Sequence, residues 1–191
     1  MIRAADLVAF HDGLAPRGAA PLWEAVEANH RENGLLWAEE DLARRRNVAD
    51  AEIAKNKRAI DGHNQKRNDA IERIDEMLLH FLHLVKLKPD ARPSSETAGV
   101  MIDRLSILSL KIRAMRLQTE RTGVDREHIE SCRQKLERLT EQRGDLAACL
   151  DRLLAEAARG ESYFKVYRQF KMYNDPKHNP AIYSEPGGRK A

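Results

Sequence analysis

The side chains best placed to do chemistry are polar residues at helical spacing, in stripes that are otherwise apolar. His30, Asn33, Glu40 and Arg44 fall on one stripe with Trp23, Val26 and Trp37. Lys57, Asn64 and Arg67 share a second stripe with Ile53, Ile60, Ile71, Ile74, Leu78, Phe81 and Val85, and Asp61 and Asn68 stand one position on. Asp103 lies on a third, with Arg104 and Lys111 beside it. A buried polar group without a partner costs about 1–3 kcal/mol, and an unpaired charge more. Side chains set this way must therefore pair, meet water or meet a ligand. In a pocket, Arg44, Lys57, Arg67, Arg104 and Lys111 would take phosphate, and His30, Asn33, Asn64 and Asn68 would take hydroxyls. Glu40, Asp61 and Asp103 would orient the cations. The bland alternatives are a self-paired network that fixes register, or a seam left in solvent at one end of a bundle.

Other constellations are thinner. Glu72 and Asp75 form Glu-x-x-Asp, a spacing at which helical carboxylates hold Mg²⁺ in all-α nucleotide phosphohydrolases. The second pair would have to come from Glu39, Glu40 and Asp41. In so charged a chain a solvated face explains them better. Glu27-x-x-His30 is half of a di-iron motif whose other half is missing. His80 and His83 sit in an apolar stretch and read as core or rim histidines. There is no Gly-rich phosphate loop, no Cys-x-x-Cys and no nucleophile elbow.

These stripes require long helices. With 33% charged residues, 42% hydrophobic ones, 10 Gly and 7 Pro, the composition favours salt-laced helices over a β fold. The spacing predicts a short helix over Ala4–His11, then a linker, then helices over 21–46, 48–86, 95–121 and 125–159, and a last one over 161–170. Pro21 suits a first helical position, Asn47 and Asp125 suit N-caps, and Gly123 and Gly160 suit stops. The fourth helix carries two apolar stripes (Met101, Leu105, Leu108, Ile112, Met115 and, offset, Ile107, Leu110, Ala114, Leu117), which predicts a central place. The fifth carries Ile129, Cys132, Leu136, Leu139, Arg143, Leu146, Leu150, Leu153 and Ala157. The predicted fold is all-α: an elongated antiparallel bundle of four main helices with short terminal ones. Its parts are a helix and linker (1–20), the bundle (21–160) and a tail packed on it (161–191).

The formal net charge of +3 resides in that tail, and residues 1–160 sum to zero. A neutral bundle is poorly suited to nucleic acid. The tail's aromatics, Tyr163, Phe164, Tyr167, Phe170, Tyr173 and Tyr183, could stack bases, but Tyr163, Tyr167 and Phe170 at helical spacing fit better as anchors on the bundle. Cys132 and Cys149 fall on one helix, roughly 25 Å apart by helical rise, so no bridge between them is expected. The N-terminus has no signal-peptide pattern and no apolar run is long enough for a bilayer, so a soluble cytoplasmic protein is expected.

Four stretches are distinctive as strings: NGLLWAEEDLAR from Asn33, IDGHNQKRNDAIERID from Ile60, SETAGVMIDRLSILSLK from Ser95 and FKMYNDPKHNP from Phe170. They resemble an uncharacterised bacterial family, domain-of-unknown-function family 4254. His178 stands where the resemblance leads us to expect Leu. MIDRLSIL is also similar to a segment of a second uncharacterised family. The resemblance implies company with glycosyltransferases and with polysaccharide or cell-envelope biosynthesis. The expected function is therefore binding of a small anionic ligand, a nucleotide sugar or sugar phosphate, in support of glycan assembly. The rivals are a Mg²⁺-dependent nucleotide phosphohydrolase using Glu72 and Asp75, and a non-enzymatic scaffold. The scaffold would pair through the fifth helix with a glycan-biosynthesis protein or with itself.

Overall fold

A computed structural model describes residues 2–172 and 175–184; Met1, Tyr173, Asn174 and the last seven residues lie outside it. The chain forms α1 (Ala4–His11), α2 (Pro21–Ala43), α3 (Asp50–Leu82), α4 (Ala98–Thr119), α5 (Arg126–Ala158) and α6 (Pro180–Tyr183). Two two-residue strands, β1 (Arg92–Pro93) and β2 (Ser162–Tyr163), pair in parallel. Among the described residues no helix is long and apolar enough to cross a membrane.

Two antiparallel hairpins, α2–α3 and α4–α5, pack on each other. The double stripe of α4 has its expected consequence: α4 touches α1, α2, α3 and α5. The apolar core lies toward one end, where Leu22, Val26, Ile74, Leu78, Ile102, Leu105, Leu150 and Leu154 meet and α1 adds Ala4 and Leu7. Close approach of α3 and α4 depends on Gly99: a Cβ there would stand 2.6 Å from the Ile71 carbonyl oxygen. The Gly99 N–H donates to Asp75 Oδ1 at 2.6 Å. Away from this end the hairpins bury little. Before Asn68, the buried residues of α3 are Asn56 and Ile60.

Several local expectations are corrected. The last helix is absent: residues 161–170 run as β2 and an irregular strap. Gly160, at φ +70°, ends α5, and the loop after α3 then takes the next carbonyls through Arg92 N–H to Glu161 O and Ser94 N–H to Tyr163 O. With those carbonyls committed elsewhere, a helix cannot start. Helix α3 stops at Leu82, and its N-cap is Ala49 with no side-chain bond. Asp125 does cap α5, accepting from the His128 N–H at 2.6 Å. The tail anchor is Phe164, fully covered, while Tyr167 and Phe170 are 70% and 87% exposed. Both cysteines are free, Cys132 buried and Cys149 exposed.

The face of α2 is rotated from the expected seam. Its buried residues are Leu22, Ala25, Val26, Asn29, Glu32, Asn33 and Leu36, because α2 is wedged between α3 on one side and α4 on the other. Trp37 is thereby carried to the rim, 38% exposed.

Candidate functional site: a polar cleft between α2, α3 and α4

The centre of the polar seam is Asp103, buried where α4 crosses α2 and α3. Its Oδ1 accepts from Asn29 Nδ2 at 2.8 Å and Asn33 Nδ2 at 2.9 Å. Asn33 also donates to Ser106 Oγ at 3.1 Å, and Ser106 meets His30 Nδ1 at 2.8 Å. Arg67 brings the compensating charge from α3. Its Nε is 4.0 Å from Asp103 Oδ1, beyond hydrogen-bond reach, and is buried without a hydrogen-bond partner. A buried carboxylate held by two amides and one offset guanidinium is paired in charge, yet the cation retains donor capacity.

The Arg67 side chain lines an open cleft of about 320 Å³. Asn33, Glu40, Arg44, Asn64, Arg67 and Lys111 line it, with Asp41 and an apolar wall that includes Leu36, Trp37 and Ile107. Six residues of the polar seam are thus brought together, three of them cations against two lining carboxylates. Arg44, just past the end of α2, binds Glu40 Oε2 at 2.7 Å. Asn64 and Lys111 have no hydrogen-bond or ion-pair partner among the described residues.

The remaining nominees lie elsewhere. Lys57 and Asp61 are exposed and pair with each other, one turn apart on α3. Arg104 is exposed, its Nη1 donating to both carboxylate oxygens of Glu96. Asn68 is buried under the strap, donating to Gln169 Oε1 at 2.9 Å, with its own Oδ1 unpartnered. His30 turns toward α1, where its ring stacks on His11 with centroids 4.7 Å apart. Burial pushes the His11 imidazole down to about 3, helped by the nearby His30 and Arg143, and neither ring nitrogen has a partner.

Asn29, Ser106 and the Glu32–His63 pair (2.7 Å) belong to the same polar interior and were not singled out from sequence. Asn29 lies one helical turn before Asn33, so a stripe drawn one position back would have included it.

The carboxylates nominated for Mg²⁺ are engaged with protein groups. Glu72 binds Arg168 at 2.5 Å, and Arg168 also reaches Glu76. Asp75 turns to Gly99, and burial pushes its carboxyl up to about 6 against the hydrogen bonds from Thr97 and Gly99. Glu40 is committed to Arg44. Among the described residues, no group of three or more His, Cys, Asp or Glu is placed to hold a metal ion.

Fold and cleft define an all-α bundle with a polar cavity between helices. Residues 23–166 match the family described as "Protein of unknown function (DUF4254)", and the chain belongs to that family. No curated protein and no solved structure matches it.

Proposed function

We propose that this protein binds a small anionic ligand, a sugar phosphate or nucleotide sugar, in the cleft between α2, α3 and α4. The observation that carries the reading is Arg67: a buried guanidinium nitrogen without a hydrogen bond, on a side chain lining a 320 Å³ cleft with Arg44 and Lys111. A guanidinium fork and an unpaired ammonium suit phosphate oxygens. Asn33 spends its amide on Asp103 and Ser106, which leaves Asn64 as the side chain free to read a hydroxyl. The Trp37 indole at the rim offers a flat apolar plate for a sugar ring or a base. Service to glycan assembly rests on the resemblance of the four stretches quoted above.

The test is a thermal-shift panel of sugar phosphates, nucleotide sugars and nucleotides, each with and without Mg²⁺. A ligand at a hundred times its dissociation constant adds about 2.7 kcal/mol, roughly 5–10 °C for a chain of this size. Arg67→Ala and Lys111→Ala should each remove the shift. Lys57→Ala should keep it, because Lys57 lies outside the cleft. A flat panel, or a shift indifferent to both cleft variants, would overturn the assignment.

A further inference from the structure

The apolar seam of α5 is incompletely covered between Cys132, which is buried, and Leu146. Leu146, Leu150, Leu153, Leu154 and Ala157 are buried against the core, whereas Leu136 and Leu139 remain half-buried. Alongside Leu139 runs an open groove of about 780 Å³, floored by Ala114 and Met115 of α4, walled by α5 and reached by Trp37 of α2. Ala114, Met115 and Leu139 thus leave apolar surface only partly covered on this side of the bundle.

The charges on its rim indicate what covers it. Lys135, Arg138, Glu141 and Asp145 follow one another along α5 beside the groove. None takes part in an ion pair among the described residues, although charged side chains elsewhere on the chain are frequently paired. Their order is two cations, then two anions, with Leu139 between the two halves. A two-fold axis beside Leu139 lays a second α5 antiparallel on the first. With the axis between Leu139 and Thr140, Arg138 then faces Glu141 of the copy and Lys135 comes within one residue of its Asp145, and both pairs form twice. Such self-complementarity is what an isologous interface requires.

We infer that the α4–α5 groove is the contact surface of a homodimer, in which antiparallel α5 helices cross at Leu139 over Ala114 and Met115. Formation of the dimer needs no ligand, so it is tested apart from the binding reading, although Trp37 and Lys111 border both groove and cleft.

The experiment is the mass of the full chain by light scattering and sedimentation equilibrium, across about 1–100 µM and without ligand. The expected mass is twice 21.8 kDa. Leu139→Asp should give the monomer mass with unchanged helix content. Arg138→Glu, on the exposed rim, should do the same without touching the core. Combining Arg138→Glu with Glu141→Arg should restore the dimer, because each chain then supplies the reversed pair. A wild-type chain that stays monomeric throughout overturns the inference, as does a dimer that persists in both single variants. Failure of the double reversal to restore a dimer lost in Arg138→Glu overturns the α5 register.

Discussion

At the scale of single residues, the interior is governed by polar groups that only partly satisfy one another. His11 is the extreme case, a buried imidazole with neither nitrogen bonded. Its folded-state affinity for a proton is depressed to about 3, so as pH falls below its ordinary value near 6.5 the unfolded chain takes the proton first. Stability contributed by the neutral ring is therefore lost progressively below about pH 6.5, at about 1.4 kcal/mol per pH unit. Asp75 has the opposite sign: its raised folded value near 6 means that protonation favours the folded chain as pH falls through that region. The difference between wild type and His11→Phe in urea midpoints at pH 7 and pH 5 isolates the histidine. The variant should be no less stable at pH 7, since no hydrogen bond is lost, and should lose less stability on acidification. Parallel pH profiles for the two proteins would show that His11 does not titrate as argued. At this scale the sequence was informative about residue type but not about direction. Asn33, Arg67 and Asp103 could be nominated because polar residues on an apolar stripe demand partners. Lys57 and Asp61 could not be separated from them, because a one-turn ion pair in solvent has the same spacing as a buried one.

At the scale of elements, the helices follow from periodicity, caps and stops, and their packing from a few small residues. Gly99 and Gly62 both sit inside helices, yet they play different parts. A Cβ at position 99 would meet the Ile71 carbonyl and the Asp75 carboxylate, whereas one at position 62 would meet nothing within 4 Å. Gly99→Ala should therefore separate α3 from α4 and cost about 1–3 kcal/mol. Gly62→Ala should gain about 0.5–1 kcal/mol through helix propensity alone. Urea unfolding of the two variants checks this, and equal effects would mean that the α3–α4 contact is not set at Gly99. The five longer helices were legible because hydrophobic spacing and Gly and Pro punctuation agree. The strap was not: Tyr163, Tyr167 and Phe170 have helical spacing, but the hydrogen bonds deciding the matter run to residues 88–94, about seventy positions earlier. The rotation of α2 was hidden for a similar reason. A helix flanked on two sides buries a wide arc, and a single line drawn through Trp23 and Trp37 follows one edge of it.

At the scale of the whole molecule, stability is unevenly distributed. The core joins α1, the first half of α2, the second half of α3, the first half of α4 and the last half of α5. The opposite end holds the cleft, the groove and thinly covered helix. Amide exchange should show this gradient: residues 74–78 and 102–108 open only with global unfolding, whereas 52–58 open locally and exchange far faster. Uniform protection along α3 would contradict it. That gradient could not be read from sequence, since the α3 seam keeps its spacing from Ile53 to Leu78 whether or not anything covers it. The small parallel ladder between β1 and β2 has a further bearing on the molecule. It ties the base of the α4–α5 hairpin, holding Arg92 beside Ser162, so the two helices stay registered from below whatever joins them above. The turn at 120–125 is thus relieved of any duty in alignment. Extra chain there would cost only loop entropy, about 0.6 kcal/mol for each doubling of its length, making that turn the natural point for the sequence to grow.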